Sequence, residues 1–225
     1  MTNETFISAG VTHKVTVYPA KPDGKKHPVI LLLHGNAGLV EPYGDQIRGF
    51  AKNLAALGYL TAVPQYYAND NSHLTDTTPH DQILADAIVT LLTKFKDGDP
   101  DRIGLIGFSL GAATAMTYIA SNSPGKVKAL ADFFGFLTPT IEAGIKKFPP
   151  TIIFHNEKDR IVPFIDNSKK LDKLLTTSSM VHDLVTYNKI WDEYNHAFPS
   201  GSLADVDSQA KATSWFVTYL PPVGI

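Results

Sequence analysis

The chain has 225 residues, with 44% hydrophobic and 19% charged side chains and no cysteine. The absence of cysteine excludes disulfides, thiolate zinc sites, iron–sulfur clusters and a cysteine nucleophile. Twenty Lys and Arg against 22 Asp and Glu give a formal net charge of −2 without any basic block, which argues against a nucleic-acid partner.

The first half of the chain alternates short apolar runs with segments of helical period. The run Val29-Ile30-Leu31-Leu32-Leu33 is uniformly apolar, which is typical of a central strand buried on both faces. Gly58 and Pro64 mark the ends of a helix and of a strand. The predicted elements are strands over 13–18, 29–33 and 60–63, a helix over about 43–57, and a helix that begins with Thr78 as N-cap and Pro79 at its first position.

The second half continues the alternation of strands and helices. Such a pattern predicts βαβ units, and therefore an α/β fold with a doubly wound, mainly parallel sheet and helices on both faces. In these sheets, chemistry takes place at the carboxyl ends of the strands. The predicted strands are 103–108, 127–134, 151–155 and 181–187, and the predicted helices are about 110–120, 166–175 and 206–219.

The most specific motif is Gly107-Phe108-Ser109-Leu110-Gly111, at the junction of a predicted strand and a predicted helix. A nucleophile on so tight a turn needs a strained backbone, and glycines on both sides avoid collisions with the strand and the helix. Ser109 would project into a cleft, with the amide of Leu110 facing an oxyanion. The alternative is a Gly-rich turn with a serine N-cap.

A second small-residue segment, His34-Gly35-Asn36-Ala37-Gly38, directly follows the buried strand. Small side chains let backbone amides approach a ligand closely. The amide of Asn36 is predicted to be the second oxyanion donor, beside that of Leu110. Taken alone, the segment is equally consistent with an ordinary strand-to-helix turn.

A serine nucleophile needs a histidine base, and the base needs a carboxylate that orients it. In doubly wound hydrolases both follow the serine, in the order Ser, acid, His. Among the histidines after Ser109, His155 and His182 are explained as strand-end residues, whereas His196 lies in a loop before the last helix. We therefore predict that His196 is the base.

Asp159 is the preferred acid, because it lies in a short loop after a predicted strand and can reach sideways to His196. Asp132 is the runner-up, but it precedes two phenylalanines and is expected inside its strand. Glu157 and Asp166 are weaker candidates. An exposed loop Asp, considered singly, is explained by ordinary solvation, and only the ordered set of serine, acid and histidine favours a catalytic role.

Taken together, the motifs resemble the dienelactone hydrolase family of α/β-hydrolases, over about residues 28–220. The resemblance implies the α/β-hydrolase fold and a catalytic triad of Ser109, Asp159 and His196. It rests on the segments 34–38 and 107–111, on Asp159 before Val162-Pro163, and on Tyr194-Asn195-His196-Ala197-Phe198.

Three positions depart from the pattern of that family. Dienelactone hydrolases use a cysteine nucleophile where this chain has Ser109, and a glutamate that pairs with it where this chain has Gly35. They also hold the substrate carboxylate with an arginine four residues after the catalytic histidine, where this chain has Ser200. The resemblance therefore implies the fold and the triad, and ester hydrolysis in general rather than a dienelactone substrate.

The connections bear on the substrate. About sixteen residues separate the strand ending near Phe134 from the strand starting at Thr151, which is too few for a cap domain, and an open cleft favours small esters. Aromatic residues near strand ends could line an acyl pocket, although core or rim packing explains each of them at least as well. The pocket candidates are Tyr66, Phe134 and Trp191, from a wider set that includes Tyr67, Phe133, Phe136 and Tyr194.

The sequence thus predicts a single α/β-hydrolase domain over residues 1–225, a serine carboxylesterase that forms an acyl-enzyme and needs no cofactor or metal. A thioesterase, an acyltransferase or a peptidase with the same triad is the alternative, and a non-catalytic binding module is a further one. The first residues do not resemble a signal peptide, and no apolar run reaches the roughly 18 residues of a membrane span. We expect a cytoplasmic monomer or weak homodimer that binds a small ester, with no membrane or nucleic-acid partner.

Overall fold

An eight-stranded sheet forms the centre of the fold in a computed structural model that describes residues 1–66, 80–121 and 124–223. The strands are β1 (Thr2–Ser8), β2 (Val11–Tyr18), β3 (His27–Leu33), β4 (Leu60–Gln65), β5 (Gly98–Phe108), β6 (Val127–Phe133), β7 (Thr151–Asn156) and β8 (His182–Tyr187). Their order in the sheet is β1-β2-β4-β3-β5-β6-β7-β8. The six strands β3 to β8 run parallel to one another, whereas β1 and β2 add an antiparallel edge beside β4. This is the predicted doubly wound α/β-hydrolase fold.

Helices cover both faces of the sheet. They are α1 (Tyr43–Ala56), α2 (His80–Lys94), α3 (Leu110–Ser121), α4 (Pro139–Ala143), α5 (Ser168–Thr177) and α6 (Leu203–Tyr219). Side chains of α1 and α6 pack into the core on one face, and side chains of α2, α3, α4 and α5 pack into the core on the other. The sheet therefore separates two apolar layers, and its carboxyl edge is left for polar groups.

The central strand β3 shows why a uniformly apolar run predicts a strand that is buried on both faces. Val29, Leu31 and Leu33 point into one core layer, while Ile30 and Leu32 point into the other. All five side chains are fully buried. Because successive side chains of a strand alternate between faces, a strand with helices on both sides must be apolar throughout.

Several elements differ from their predicted limits. β5 begins at Gly98, because that residue pairs with His27 of β3, although the Gly-Asp-Pro sequence favours a turn. β4 continues through Pro64 to Gln65, since its pairing with β2 includes Val15 opposite Pro64. β6 ends at Phe133 rather than Phe134.

The connection between β6 and β7 contains α4 and a short 3-10 turn, Ile145–Lys147. Ile141 and Ile145 of this segment are buried in the core, so it packs onto the sheet rather than over the carboxyl edge as a cap would. The predicted helix start at Thr78 and Pro79 lies outside the described residues. Within the parts of the chain that the structure describes, no helix is both long and apolar enough to cross a membrane.

Candidate active site

Ser109 lies on the sharp turn between β5 and α3. Its φ of +54° is in the left-handed region, which is strained for a residue with a side chain. The strain is held by hydrogen bonds on both sides: the Ser109 amide donates to the Phe133 carbonyl at 2.9 Å, and the Ser109 carbonyl accepts from Ala112 at 3.0 Å. The backbone thus presents the hydroxyl at the carboxyl edge of the sheet.

The two glycines of the motif have no room for a side chain. A Cβ on Gly107 would lie 2.3 Å from the Cα of Ala112, and a Cβ on Gly111 would lie 2.1 Å from the carbonyl oxygen of Leu33. Both contacts are with backbone, which cannot move aside without displacing β3 or α3. The steric reason for the Gly-x-Ser-x-Gly spacing is therefore present in this fold.

Replacing Gly111 with Ala is expected to lower the free energy of unfolding by about 3 kcal/mol or more, since the new methyl group overlaps the end of β3. Gly49→Ala is the matched control, because a Cβ on this helical glycine would meet nothing within 4 Å. We expect that control to be neutral or to stabilise the fold by about 0.5–1 kcal/mol. Urea unfolding of both variants measures the difference, and equal midpoints would contradict the steric explanation.

His196 joins Ser109 to Asp159. Its Nε2 lies 2.9 Å from the Ser109 Oγ, and its Nδ1 lies 2.7 Å from the Asp159 Oδ2. Nδ1 therefore carries a proton that it donates to the carboxylate, which leaves Nε2 to accept the serine proton. The structure brings together the three side chains that the order along the sequence predicts.

The loop that carries His196 is fixed by its own hydrogen bonds. Asn195 has a positive φ of +53°, and its side-chain oxygen accepts from the amide of Trp191 at 3.0 Å. The Asn195 amide donates to Asp192, and its carbonyl accepts from Asn156 at the end of β7. These contacts tie the loop to the strand that precedes Asp159.

Asp159 is held as an ionised acceptor. Its Oδ1 accepts from the amides of Ile161 and Val162, each at 2.8 Å. Burial alone would raise the pKa of Asp159, but hydrogen bonds from His155 and His196, the charge of His196 and the Val162 amide outweigh it and lower the pKa to about 2. The carboxylate is therefore ionised at neutral pH.

Asp132, the other candidate acid, is fully buried within β6, as expected. Its Oδ1 accepts from the Gly135 amide at 2.8 Å, while its Oδ2 has no hydrogen-bond partner among the described residues. Burial raises the pKa of Asp132 to about 6, against the opposing effects of the Gly135 amide and the charge of His155. No hydrogen bond between Asp132 and His196 occurs in the described structure, so Asp132 is not the partner of His196.

The raised pKa of Asp132 predicts a pH-dependent penalty. Below the ordinary carboxyl pKa of about 4 the side chain is neutral in both states and costs nothing. As the pH rises through 6, the folded state must hold a buried charge, so stability is lost. Asp132→Asn should therefore raise the free energy of unfolding by about 1–3 kcal/mol near pH 8 and change it little near pH 4.

Urea unfolding at the two pH values measures this effect, with Asp183→Asn on the exposed side of β8 as the control. An Asp132→Asn variant whose stability differs from the parent by the same amount at both pH values would contradict the assignment.

The remaining sequence candidates lie elsewhere. His182 is at the start of β8, where its Nε2 lies 3.1 Å from the hydroxyl of Thr176 and its Nδ1 lies 2.8 Å from the carbonyl of Met180. No contact of Glu157 or Asp166 with His196 occurs in the described structure. His155 is buried at the end of β7 and also touches Asp159, at 3.2 Å, which sequence reasoning missed.

The segment 34–38 packs against the serine turn. A Cβ on Gly35 would lie 3.3 Å from the Phe108 carbonyl and 3.4 Å from the Ser109 Cβ, so this glycine brings the two segments together. Gly38 donates to the Gly35 carbonyl at 3.0 Å, which places Asn36 within a tight turn. Asn36 lines the cavity beside Ser109, and Leu110 is the first residue of α3. Both residues thus lie near Ser109 at the carboxyl edge of the sheet.

His34 supports this segment from inside the fold. It is fully buried, its ring stacks on Tyr66, and its carbonyl accepts from the Tyr66 hydroxyl at 2.6 Å. Burial lowers the pKa of His34 to about 4, so the ring is neutral near pH 7. His34 therefore supports the backbone of this segment from inside the fold.

A cavity of about 340 Å³ adjoins Ser109 and His196. Phe134 lines it as predicted, with a φ of +47° and its ring edge-on to that of His196 at 4.9 Å. The rest of the lining is mainly apolar and aromatic: Tyr43, Ile47, Phe108, Phe133, Ile161, Tyr194, Ala197 and Phe198.

Two of the three pocket candidates lie away from this cavity. Tyr66 does not line the cavity, because it is only 1% exposed and lies behind His34. Trp191 does not line it either, since its ring packs edge-on against Phe198 in the core layer. Both residues follow strands, but their side chains turn inward. Tyr67, from the wider candidate set, lies outside the described residues.

Polar residues that the sequence did not reveal occupy part of the cavity wall. Gln46 of α1 donates to Asp205 of α6 at 2.6 Å, and Gln209 donates to the same oxygen at 2.6 Å. The second oxygen of Asp205 accepts from the Gly201 amide at 2.8 Å. Asp192 also lines the cavity, whereas no Lys or Arg stands among its described lining residues. The site is therefore acidic as well as apolar.

The chemistry of the described side chains is that of proton transfer and nucleophilic attack. Among residues 1–66, 80–121 and 124–223, no group of three or more His, Asp or Glu side chains could hold a metal ion. The arrangement instead joins a strained serine, a neutral histidine nitrogen and a buried carboxylate. Such a chain activates a hydroxyl for attack on a carbonyl carbon.

Comparisons with known proteins agree with the motifs. A model of the dienelactone hydrolase family matches residues 15–219. The chain is similar to a protein assigned as the esterase NocK of Nocardia uniformis subsp. tsuyamanensis, with 31% identity over 156 residues, which are 65% of this chain and 43% of that protein. The chain thus spans less than half the length of that relative.

A second curated relative is assigned as a carboxymethylenebutenolidase of Methylorubrum extorquens, with 24% identity over 208 residues, 82% of this chain and 68% of that protein. Among solved structures, a protein assigned as a dienelactone hydrolase from Klebsiella pneumoniae subsp. pneumoniae has a TM-score of 0.75 at 20% identity. That match covers 97% of this chain and 99% of the other, so the two share one fold.

Proposed function

Because this chain belongs to the dienelactone hydrolase family of α/β-hydrolases, we propose that it is a serine hydrolase that cleaves small carboxylic esters through an acyl-enzyme intermediate. The observation that carries the proposal is the hydrogen-bonded chain from Ser109 through His196 to Asp159, beside a mainly apolar cavity. The names of two relatives, an esterase and a carboxymethylenebutenolidase, support it. Fluorophosphonate labelling of Ser109, together with turnover of p-nitrophenyl acetate, tests it.

Acylation begins with proton transfer. As the Ser109 oxygen attacks the ester carbonyl, its proton passes to Nε2 of His196, which is already in hydrogen-bond contact at 2.9 Å. Asp159 holds the imidazole in the required tautomer and stabilises the imidazolium that forms. The imidazolium then gives the proton to the leaving alkoxide.

The carbonyl oxygen becomes an oxyanion in this step. The amides of Leu110 and Asn36 are the proposed donors, one at the positive end of α3 and the other in the turn after β3. Preorganised donors of this kind typically contribute about 10²–10³ in rate each. Their placement depends on Gly35 and Gly111, which allow β3, the turn and α3 to approach closely.

Deacylation repeats the sequence with water. His196 takes a proton from the water that attacks the acyl carbon, and the same two amides stabilise the second oxyanion. Ser109 leaves with the proton that His196 returns. Atoms balance over the cycle: one ester and one water give one acid and one alcohol.

The cavity wall bears on the substrate class. A volume of about 340 Å³ with aromatic lining favours a short acyl group. Asp192 and Asp205 add negative charge, and the position of the family's substrate-binding arginine is Ser200. A carboxylate-bearing ester would meet repulsion of roughly 1–3 kcal/mol at separations of about 6 Å. We therefore propose neutral esters as substrates and not dienelactones.

Esters of matched length test this charge selection. We expect kcat/KM for p-nitrophenyl methyl succinate to exceed that for mono-p-nitrophenyl succinate by about tenfold or more, because 1.4 kcal/mol corresponds to a factor of ten. Asp192→Asn should narrow the ratio, since the amide keeps the oxygen that accepts from Tyr194 and Asn195 but loses the charge. Asp183→Asn, outside the cavity, should leave the ratio as it is. A preference for the anionic ester would contradict the proposed substrate class.

A thioesterase, an acyltransferase or a peptidase would form the same acyl-enzyme, so matched oxygen esters, thioesters and anilides are needed to rank these activities. Ester hydrolysis is preferred because of the family and the names of its relatives. A non-catalytic binding module has less support, because the serine, histidine and carboxylate are already in hydrogen-bond contact. Cytoplasmic location, the lack of nucleic-acid binding and the state of monomer or weak homodimer stay predictions.

A further inference from the structure

The carboxylate of Asp159 has a second imidazole partner besides His196. His155, at the end of β7, places its Nε2 3.2 Å from Oδ2 of Asp159, the same oxygen that His196 contacts at 2.7 Å. The side chains of His155 and Asp159 have no solvent exposure. Two imidazoles therefore compete for one buried oxygen.

The surroundings of His155 determine that its Nε2 carries a proton. Its Nε2 also lies 2.9 Å from the carbonyl of Val162, and neither that carbonyl nor the carboxylate can donate a hydrogen bond. Nε2 must therefore carry a proton. Nδ1 lies 2.6 Å from the Ser168 hydroxyl at the start of α5, which can donate to it. The ring thus carries a proton on Nε2, which is directed to the Val162 carbonyl and lies 3.2 Å from the Asp159 carboxylate.

We propose that His155, held by Ser168, is a positioning residue that fixes the Asp159 carboxylate and limits how strongly it attracts the proton of His196. This proposal goes beyond the proposed function and rests on it for its kinetic consequence. No catalytic contact is assigned to His155, which is separated from Ser109 by Asp159 and His196. Its effect would pass through the shared oxygen alone.

The physical reason is the sharing of charge. A carboxylate oxygen that already accepts one hydrogen bond is a weaker acceptor for the next, so the His155 N–H draws charge away from the contact with His196. The same bond, with the two backbone amides on Oδ1, leaves the carboxylate no freedom to rotate. Loss of the His155 N–H should make Asp159 both more basic toward His196 and less well placed.

The other titratable groups near this cluster are few. Asp132 of β6 is close enough to His155 for their charges to interact. Asp192 and Asp205 line the cavity on which His196 opens. Arg160 follows Asp159 directly, and its amide donates to the Tyr194 carbonyl. All of these groups are retained in the variants below, so only the contacts of His155 itself change.

The test compares His155→Gln with His155→Asn. A glutamine amide can occupy the place of Nε2 and keep a donor to Asp159, whereas the shorter asparagine reaches only the place of Nδ1. The first readout is the titration midpoint of the His196 imidazole, followed by NMR, which does not require turnover. The second is kcat and KM for p-nitrophenyl acetate.

We expect the His196 midpoint to move to higher pH by about 0.5–1 unit in the Asn variant and to stay near the parent value in the Gln variant. The kcat of the Asn variant should fall about 10- to 100-fold with KM nearly unchanged, because the carboxylate is misplaced. His182→Asn, at the start of β8, is the control and should change neither readout.

An unchanged His196 midpoint in a folded Asn variant, or equal effects of Gln and Asn, would overturn the proposal. If the Asn variant does not fold, Ser168→Ala takes its place. We expect this variant to move the His196 midpoint in the same direction by a smaller amount. An unchanged midpoint would then contradict the proposal. A shifted midpoint in a protein without ester turnover would support the role of His155 and contradict the proposed function, so the two failures are distinguishable.

Discussion

Replacing Ser109 with Ala is expected to abolish nearly all turnover of p-nitrophenyl acetate, with a loss in kcat of about 10⁴–10⁶. The substitution removes the oxygen that attacks the carbonyl and leaves the amides of Leu110 and Asn36 in place. Some rate above that of water should therefore persist, because the proposed oxyanion donors and the cavity still act. Spectrophotometric release of p-nitrophenol measures the effect.

Two controls separate this loss from damage to the fold. Ser214→Ala, on the exposed side of α6, should keep the parent activity. The Ser109→Ala variant itself should unfold at about the same urea concentration as the parent, since alanine has the same backbone strain at this φ as serine. Turnover close to that of the parent in a folded Ser109→Ala variant would contradict the role of this serine.

Replacing Asp159 with Asn should lower kcat by about 10⁴, since an amide that donates toward Nδ1 of His196 favours the wrong tautomer of the ring. The same substitution removes the charge that stabilises the imidazolium. Asp132→Asn should leave kcat within a few-fold of the parent, because no hydrogen bond of the described structure joins Asp132 to His196. Each variant loses one carboxylate relative to the parent, so each is the control for the other.

The opposite pattern would show that Asp159 is not the acid that orients His196. If Asp159→Asn keeps the rate within a few-fold while Asp132→Asn removes it, the carboxylate at the end of β6 orients His196 in the working enzyme. That result would also require the loop of His196 to move, because the present hydrogen bond to Asp159 is 2.7 Å long.

The pH dependence of stability adds an independent check on Asp159. The pKa of this carboxyl is lowered to about 2 in the folded state, so its contribution to stability is complete above the ordinary value of about 4. The contribution is lost as the pH falls through about 2. The pKa of Asp132 is shifted in the opposite direction, so its effect on stability has the opposite sign. The two carboxylates are therefore distinguishable by the pH dependence of stability as well as by activity.

The fold is predictable from the sequence where burial is complete on two faces or where a helix has a clear apolar face. β3 is such a strand, and α1 such a helix. β1 gives no clear pattern, because only Phe6 and Ser8 of Thr2–Ser8 are buried and the strand lies at the sheet edge. α6 begins at Leu203, ahead of its predicted start, since the Ser202 hydroxyl caps it.

The meeting of Ser109, Asp159 and His196 is predictable because each follows a strand of one parallel sheet, and those strand ends share an edge. The direction of a side chain is not predictable in this way. Tyr66 follows β4 but turns inward to His34, and His155 ends β7 but contacts Asp159 because the turn Asn156–Asp159 folds back. The single domain over residues 1–225 stays a prediction.

The cavity wall shows a further limit of sequence patterns. Gln46 and Asp205 are separated by 159 positions along the chain, and each resembles an ordinary polar residue of a helix. Their contact depends on how α1 and α6 pack on the same face of the sheet. The charge of the cavity wall therefore depends on how the helices pack and is not visible in the sequence.

Reaction with a fluorophosphonate, followed by intact mass and peptide mapping, tests the nucleophile most directly. We expect one adduct per chain, located on Ser109, that forms in step with the loss of ester turnover and is absent from Ser109→Ala. Its formation should slow strongly in His196→Ala, since the histidine no longer takes the serine proton. An unmodified Ser109 in folded, active protein, or an adduct on another residue that accounts for the lost activity, would contradict a serine hydrolase with its nucleophile on this turn.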